Sequence, residues 1–275
     1  MNFSLLICVY IKENPDYLIR CLDSIAVQSV LPSEIVIVKD GPLTSALDFA
    51  IADFDFPQSI SLKIVPLPEN VTLGPARAAG LLAASNDWVA IMDTDDICRP
   101  DRFEKQVAMV KAAIADGEAL GIIGGQISEF VEDIGDILDK RIVPTSNEEI
   151  RSFAKSRNPF NHMTVMLNRK RAIEVGNYRL FPLFEDYDLW TRMIKSGVKC
   201  ANSPDVLVDV RAGSGMISRR RGKHYIKCEW CMQRQLLHIG FISFWRFCLN
   251  LALRVPVRLL PSGLLGGIYK KFARR

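Results

Sequence analysis

The sequence lacks the segments that would place a chain in or across a membrane. No stretch offers about 18 uninterrupted apolar residues, which excludes a simple membrane-spanning helix. The apolar run after Met1 has neither a basic start nor a small-residue cleavage site, so it predicts a buried strand rather than a secretory signal. Internal repeats are also missing, which excludes repeat arrays. What is present is 275 residues, 49% of them apolar, enough for one large domain or two small ones.

The cysteines and histidines form neither a disulfide framework nor a metal-binding pattern. Seven cysteines, an odd number, are scattered along the chain, and Cys228 with Cys231 makes the single CxxC pair. The three histidines do not stand at zinc-ligand spacing from that pair. We therefore predict reduced thiols and a cytoplasmic protein.

Charge is distributed unevenly along the chain. From Arg211 onward there are 14 Lys and Arg but a single acid, Glu229, while the whole chain carries only +4. Because this tail alone carries +13, the part before Arg211 carries −9. An acidic body with a basic tail indicates an anionic partner for the tail, either a nucleic acid or a membrane.

Buried-strand patterns alternate with helical patterns in the first hundred residues. Strands are predicted at 3–10, 34–38, 61–65 and 87–92, and helices at 15–29, 44–52 and 74–84. The second half is less regular, with helices at 99–116, 147–156 and 185–196 and strands at 120–130, 163–168 and 205–210. The alternation predicts an α/β fold with an open, mainly parallel sheet, whose ligands bind beyond the carboxyl ends of the strands. Tyr10, Asp40 and Asp93 all fall at such ends.

Three carboxylates follow the fourth predicted strand within four residues, at Asp93, Asp95 and Asp96. Their mutual repulsion is unfavourable unless a positive group binds nearby. Alternate carboxylates can share one divalent ion, and oxygen ligands favour Mg²⁺ or Mn²⁺, which also take ligands from phosphate and water. The spacing alone leaves a second interpretation open, in which Asp96 or Asp101 caps the following helix.

Five segments cover roughly residues 3–200 and read, in order, LICVYIKENPDYLIRCLDSIAVQS, IVIVKDGP, NVTLGPARAAGL, MDTDDICRPDRFEKQV and FEDYDLWTRMIKSG. Together and in this order they resemble the motifs of family 2 inverting glycosyltransferases of the GT-A fold. The resemblance implies a Rossmann-like, mainly parallel sheet flanked by helices and a metal-dependent hexosyl- or N-acetylhexosaminyl-transferase that uses Mn²⁺ or Mg²⁺. The subtype is similar to the glycosyltransferases of bacterial polysaccharide biosynthesis, such as those that build amylovoran, other exopolysaccharides or O-antigen.

The resemblance also implies a nucleotide site at the carboxyl edge of the sheet. Its residues are Cys8, Val9, Tyr10, Asp40, Arg77, Asp93 and Thr94. A tyrosine ring offers a stacking face for uracil, and a carboxylate suits the N3–H donor of uracil, which favours a UDP-sugar. From the residues alone, Tyr10 is as consistent with a core position, Asp40 with an ordinary turn, and Arg77 with a surface salt bridge.

The metal and the catalytic base are also implied by the family motifs. Asp95 matches the direct metal ligand, Asp93 a ribose or metal contact, and Asp96 a supporting or capping residue. Asp186 matches the general base, which takes the proton of an acceptor hydroxyl as that oxygen attacks the anomeric carbon. Asp188 is a near competitor for this role, and the acids at 185–186 are equally placed to cap the helix that follows.

Further candidates surround the acceptor. They are His162, Glu185, Trp190 and Arg211, of which His162 has a buried structural histidine as its alternative. Arg211 and the run Arg219–Arg221 are candidates to clamp the diphosphate from a mobile stretch, with a plain solvated loop as the alternative. At the position two residues after Arg211, where the family often has histidine, this chain has Gly213.

The composition of the tail favours one of the two candidate anionic partners, a nucleic acid or a membrane. Residues 236–260 are rich in Leu, Ile, Phe and Trp, and the spacing of Arg246, Arg254 and Arg258 allows them to share a helix face that Pro256 and Pro261 interrupt. So much aliphatic surface favours an amphipathic helix on an anionic leaflet over nucleic acid. Packing against the catalytic domain or a second subunit is the alternative. We predict a catalytic domain at 1–211, a mobile basic loop and connecting helix at 212–235, and a membrane-associating tail at 236–275.

The predicted activity is therefore transfer from a UDP-sugar to a glycan or lipid-linked acceptor, by an enzyme lying peripherally on the inner face of the cell membrane. An inactive nucleotide-sugar-binding scaffold is a second possibility, against which the base and both metal aspartates argue. A nucleotidyltransferase is a third, but the segment CVYIKEN lacks the glycine-rich basic loop that such an enzyme carries after its first strand.

Overall fold

Strands and helices alternate through the computed structural model, which describes residues 1–132, 134–212 and 222–259. The strands are Ser4–Tyr10 (β1), Glu34–Asp40 (β2), Ser61–Pro66 (β3), Trp88–Met92 (β4), Ile97–Cys98 (β5), Leu120–Phe130 (β6), Ile137–Arg141 (β7), Met166–Asn168 (β8) and Lys199–Arg211 (β9). The helices are Pro15–Ala26 (α1), Ser45–Ala52 (α2), Leu73–Ala83 (α3), Arg102–Ala115 (α4), Asn147–Phe153 (α5), Arg169–Glu174 (α6), Glu185–Lys195 (α7), Gly222–His238 (α8) and Phe244–Leu259 (α9).

The strands of the described residues join in one sheet, in the order β3–β2–β1–β4–β8–β6–β9–β5, with β7 beside β6. The pairs among β3, β2, β1 and β4 are parallel, which confirms the predicted half of the sheet. Beyond β4 the sheet is mixed, because β8 runs antiparallel to both neighbours and β6 runs parallel to β9. The hairpin of β6 and β7 was not predicted, and its short connection requires antiparallel pairing.

The sheet is buried on both faces, which explains the apolar run that the sequence shows in β1. Leu5 and Ile7 face one core, with α1 and α4, while Leu6 faces the other, with α3 and α7. Helix α3 lies close to the sheet at Gly80, where an added Cβ would meet the side chains of Leu6 and Val38. Polar residues at the carboxyl ends of β1, β2 and β4 are thereby brought to one edge.

The end of the chain differs from its prediction. Pro256 lies inside α9 instead of breaking it. Arg254 and Arg258 face the protein rather than the outside, since Arg254 pairs with buried Glu229 and Arg258 lies 4.5 Å from the Tyr225 ring. Helix α9 therefore packs against α8 through these two residues, while the membrane contact of the tail stays a prediction. Pro261 and residues 260–275 of the predicted tail lie outside the described residues. Within the described part, no helix is long and apolar enough to cross a bilayer.

Candidate active site

The loop after β4 presents its residues alternately outward and inward. Asp93 and Asp95 are half-exposed, whereas Thr94 and Asp96 are buried. Thr94 and Asp95 form a turn between β4 and β5, which directs neighbouring side chains to different sides. Asp93 and Asp95 thus lie on the outer side of the loop, and Asp96 is turned inward.

Asp96 has a structural contact in place of a ligand. Its carboxylate accepts a hydrogen bond from the backbone N–H of Arg211 at 3.0 Å, which attaches the end of β9 to the loop. Burial and the neighbouring aspartates raise the pKa of Asp96. The capping alternative does not hold, because α4 begins at Arg102 and Asp101, which precedes it, makes no side-chain cap bond.

Arg77 joins the loop to helix α7. Its guanidinium donates to Asp93 at 2.8 Å and to Glu185 at 3.0 Å, and the side chain is almost fully buried. Burial alone lowers the pKa of a guanidinium, but the two carboxylates more than offset this and raise it. Helix α3 approaches closely enough because residue 74 is glycine, where an added Cβ would meet the carbonyl oxygen of Arg179. The surface-salt-bridge alternative is therefore replaced by a buried bridge between two site elements.

The first turn of α7 carries two acids with perturbed pKa values. Burial raises the pKa of Glu185 to about 7, with Asp186 adding to the effect and Arg77 opposing it. Burial also raises the pKa of Asp186. The Asp186 carboxylate accepts from its neighbour's backbone N–H, that of Tyr187, at 2.6 Å, and from the amide of Asn158 at 2.6 Å. A raised pKa suits a group that must accept a proton.

Asn158 was not among the residues singled out in the sequence. It stands in the run NPFNHMTVM, four residues before His162, so the proximity of the two polar residues was the available signal. Its hydrogen bond fixes the orientation of the Asp186 carboxylate.

His162 and Trp190 lie directly behind Asp186. The imidazole is buried, Nδ1 lies 3.9 Å from Oδ2 of Asp186, and neither ring nitrogen has a hydrogen-bond partner among the described residues. The ring stacks on Trp190, with centroids 5.9 Å apart. Burial, with Arg77 and Arg102, lowers the pKa of His162, so the ring is neutral. Trp190 is completely buried, which corrects its expected position at the acceptor: it supports His162 instead.

Asp188 is committed elsewhere. It is fully buried and pairs with Arg192 one helical turn later, at 2.8 Å and 3.0 Å. Arg192 also donates to the carbonyl oxygen of Asn177 at 2.7 Å, which secures the segment before α7. Asp188 is therefore engaged in a buried structural pair, and Asp186 stays the predicted base.

The carboxyl ends of β1 and β2 form the adjoining edge. Tyr10 is exposed there and is not a core residue. Asp40 accepts hydrogen bonds from the backbone N–H of Val71 at 2.7 Å and from the Asn70 amide at 2.9 Å. Gly41 makes this closure possible, with φ +84° and no room for a Cβ beside the Asn70 backbone. Asp40 thus holds a turn, and a uracil bound at this position would have to pair with the remaining lone pairs of the carboxylate.

Cys8, Val9 and Glu13 complete this edge. Burial raises the pKa of Cys8 to about 12, so it is a neutral thiol. The Val9 side chain lies in the core, which leaves its backbone for any ligand contact. Glu13, not singled out in the sequence, has a pKa raised by burial and by the charges of Asp95 and Asp93, and a hydrogen bond from Thr94 opposes the shift.

The side chain of Arg211 lies between two aromatic rings. The guanidinium lies 3.9 Å from the Tyr17 ring and 4.7 Å from that of Phe130, and it donates to the carbonyl oxygen of Val131 at 2.9 Å. The proposed clamp partners Arg219–Arg221 lie outside the described residues.

The donor set fits a magnesium or manganese ion bound together with a diphosphate. Among the residues that the structure describes, no group of three or more His, Cys, Asp and Glu side chains is arranged to hold a metal by itself. Asp93 and Asp95 offer two carboxylates beside each other at the surface. Such ions commonly take one or two carboxylates and complete their coordination with phosphate and water.

The sheet is parallel in its first half, and the loop after β4, here called the carboxylate loop (residues 93–96), lies at its carboxyl edge. Arg77 connects this loop to α7, which bears Glu185 and Asp186. This arrangement is that of a GT-A-like glycosyltransferase. The chain belongs to glycosyl transferase family 2, whose profile matches residues 4–176. It is 44% identical to an uncharacterized glycosyltransferase of Haemophilus influenzae over the full length of both chains. It is 40% identical to the amylovoran biosynthesis glycosyltransferase AmsE of Erwinia amylovora, over 98% of each chain. It is 35% identical to the UDP-Gal:alpha-D-GlcNAc-diphosphoundecaprenol beta-1,3-galactosyltransferase of Escherichia coli, over 100% of this chain and 97% of that one.

Solved structures share the fold. S. aureus TarS 1-349 in complex with UDP superposes with a TM-score of 0.61 at 15% identity, over all of this chain and 73% of that one. The mannosyltransferase PcManGT from Pyrobaculum calidifontis, in complex with GDP-Man and Mn²⁺, gives 0.64 at 16% identity, over 99% and 80%. Identities this low support the fold alone.

Proposed function

We propose that this glycosyltransferase moves a hexosyl or N-acetylhexosaminyl unit from a UDP-sugar to a lipid-linked glycan acceptor, with inversion, in the assembly of a cell-surface or extracellular polysaccharide. The observation that carries the proposal is the bridge from Asp93 through Arg77 to Glu185. Through the Arg77 guanidinium, this bridge connects the loop proposed to bind the sugar donor to the helix that bears Asp186.

The donor half follows from the edge of the sheet. The exposed ring of Tyr10 offers a stacking surface for a flat base, and Asp40 stands at the next strand end. Asp93 and Asp95 would hold Mn²⁺ or Mg²⁺ together with the diphosphate. The bound ion supplies charge neutralisation for the departing diphosphate.

The acceptor half follows from α7. Asp186, with its pKa raised and its orientation held by Asn158, accepts the proton of the acceptor hydroxyl. The hydroxyl oxygen attacks the anomeric carbon from the face opposite the diphosphate, so the C–O bond to the diphosphate breaks as the new one forms. A single displacement inverts the configuration. His162 lies beside Asp186, and its ring nitrogens, which have no hydrogen-bond partner among the described residues, would take up a hydrogen bond with an acceptor sugar bound at Asp186.

The lipid-linked acceptor is proposed from the relative that acts on a diphosphoundecaprenol-linked sugar, together with the peripheral membrane position inferred from the basic, apolar C-terminal segment. Such an acceptor has its lipid in the bilayer and its sugar in water. An enzyme for it therefore works at the membrane surface without having to cross it.

The proposal is tested with the full chain, a panel of UDP-sugars, and an acceptor of sugar diphosphate on a short soluble lipid. We expect Mn²⁺- or Mg²⁺-dependent product with one UDP-sugar, and a new linkage whose anomeric configuration, read by NMR coupling constants, is opposite to that of the donor. Retained configuration would contradict the mechanism. Binding of the UDP-sugar without turnover on any acceptor would favour the scaffold instead.

A further inference from the structure

Helix α9 has its polar side inward. Together, α8 and α9 (residues 222–259) form an antiparallel pair, here called the C-terminal hairpin. Asn250 of α9 is buried and donates to Gln233 at 2.8 Å and to the carbonyl oxygen of Lys155 at 2.9 Å. Arg254 pairs with the buried Glu229 of α8. These contacts turn the polar side chains of Asn250 and Arg254 toward the protein.

The outward side of α9 is apolar. Trp245, Leu249 and Leu253 are 81%, 48% and 64% exposed, and their spacing of four residues puts them on one stripe. A helix that packs on a protein in water normally has its apolar residues buried. An exposed apolar stripe on a helix whose polar residues face inward therefore indicates a contact with something else.

Basic residues of α8 accompany this stripe. Lys223, Lys227 and Arg234 are exposed at spacings of four and seven residues, on one face of α8 with Trp230 between them. The ring of Trp230 lies 5.3 Å from that of Phe247, so this face adjoins α9. The single acid within 222–259 is Glu229, which is buried and paired, so the exposed charge of the hairpin is positive only.

We propose that the C-terminal hairpin docks on an anionic bilayer leaflet, with Trp245, Leu249 and Leu253 in the headgroup–acyl boundary and the α8 cations at the headgroups. This deepens the proposed function and rests on its membrane-bound acceptor. An apolar stripe flanked by tryptophan and cations is the composition of an interfacial helix. Two copies of this face would bring like charges together, which disfavours a dimer through it.

The hairpin is also attached to the catalytic helix. Tyr187, which follows Asp186, packs in a core with Met232, Leu236, Ile242 and Phe247 of the hairpin region. Its hydroxyl donates to the carbonyl oxygen of Ala154 at 2.6 Å. The apolar cluster around Tyr187 therefore connects the hairpin to the part of α7 that bears Asp186. When the hairpin is docked on the leaflet, Asp186 is kept near the membrane surface, where the sugar of a lipid-linked acceptor lies.

The test is co-sedimentation of the full chain with vesicles of phosphatidylcholine alone or with 30% phosphatidylglycerol. We compare Trp245→Ser/Leu249→Ser/Leu253→Ser and Lys223→Gln/Lys227→Gln/Arg234→Gln with wild type. Matched controls are Phe49→Ser, a residue 64% exposed on α2, and Lys111→Gln/Lys140→Gln/Lys170→Gln, all exposed away from the hairpin. Circular dichroism establishes that each variant is folded.

We expect wild type and controls to bind anionic vesicles, with at least a tenfold lower partition coefficient for both hairpin variants and severalfold weaker binding of wild type at 0.5 M than at 0.1 M NaCl. Wild type that binds neutral and anionic vesicles equally, or hairpin variants that bind like wild type, would overturn the proposal. So would a wild-type dimer that Trp245→Ser/Leu249→Ser/Leu253→Ser dissociates, since the occupant would then be a second copy.

A soluble short-lipid acceptor separates this proposal from the proposed function. The hairpin variants should transfer sugar to it as wild type does, and lose at least tenfold in rate only with a long-chain acceptor in anionic vesicles. If wild type fails on every acceptor but still binds vesicles through the hairpin, the proposed function fails and the docking stands.

Discussion

Asp93 and Glu185, far apart in the chain, bind the same guanidinium, at 2.8 Å and 3.0 Å from its two terminal nitrogens. Arg77, which supplies it, is almost fully buried, while the side chains of Asp93 and Glu185 are 31% and 13% exposed. The contact fixes the carboxylate loop after β4 against the first turn of α7. The distance between the proposed donor site, at Asp93, and the proposed acceptor site, at α7, is thereby fixed.

Removing Arg77 should damage both stability and turnover. In Arg77→Met the partly exposed carboxylates of Asp93 and Glu185 lose their buried partner, so the free energy of unfolding should fall by about 1.5–3 kcal/mol and turnover by at least about 100-fold. Urea unfolding and initial rates measure the two effects. Arg20→Met, on the exposed side of α1, should stay within about 0.5 kcal/mol of wild type. Equal urea midpoints for Arg77→Met and wild type would contradict the bridge, and Arg77→Lys provides a second variant if Arg77→Met does not fold.

Asp186 and Asp188 should respond in opposite ways. Asp186→Asn removes the proton acceptor and should lower kcat by roughly 10²–10⁴-fold with little change in stability. Asp188→Asn leaves Arg192 without its partner and should lower the free energy of unfolding by about 3–5 kcal/mol, while the folded fraction stays active. Rates normalised to folded enzyme distinguish them. An Asp186→Asn enzyme within about threefold of wild type would remove the base assignment.

The aspartates of the loop after β4 should differ in role, Asp95 binding the metal ion and Asp96 stabilising the loop. Asp95→Asn should weaken Mn²⁺ binding in the presence of UDP by at least about tenfold, because a charged oxygen ligand is lost. Asp96→Asn should leave Mn²⁺ affinity near wild type but lower the melting temperature, since its contact is with the Arg211 backbone. Calorimetric titration measures the affinities. Loss of Mn²⁺ binding in Asp96→Asn but not in Asp95→Asn would reverse the roles.

Glu185 should make stability pH-dependent in the metal-free protein. Its folded pKa of about 7 lies above its ordinary 4.5, so the protonated acid contributes stability below pH 4.5 that is lost as pH rises through 7. Relative to Glu185→Gln, wild type should therefore lose about 2–3 kcal/mol between pH 5 and pH 8. Thermal unfolding in EDTA across this range measures it. Glu174→Gln, on the surface of α6, serves as the control, and a difference between wild type and Glu185→Gln that does not change with pH would refute the shift.

His162 should act on the acceptor and not on the donor. His162→Phe keeps the ring stacked on Trp190 but removes both nitrogens, so the acceptor KM should rise by about tenfold while hydrolysis of the UDP-sugar is unchanged. His162→Gln, which restores a donor, should recover part of the loss. If both parameters stay at wild-type values, the ring is only a packing element.

The sequence by itself determined the strand and helix order of the first half, the edge at which the polar residues gather, and the family. It did so because a strand buried on both faces, such as β1, must be continuously apolar, and because parallel strands end at a common edge. The sequence favoured Asp186 over Asp188 as the base only through the family motif. Two aspartates in the same helical turn look alike in local sequence, which does not tell which of them is paired in the interior.

The tertiary structure decided which polar and aromatic side chains make structural contacts and which stay at the site. Arg192 is brought beside Asp188 by α7 itself, but Arg77 meets Glu185 because α3 packs on α7. Trp190 is buried against the rings of Phe160, His162 and Tyr178, which come from other parts of the chain. In α9 the arginines expected to face a leaflet turn toward Glu229 and Tyr225 and leave the apolar stripe outside. Periodicity defines the two faces of a helix, but which face is inward depends on partners distant in the chain.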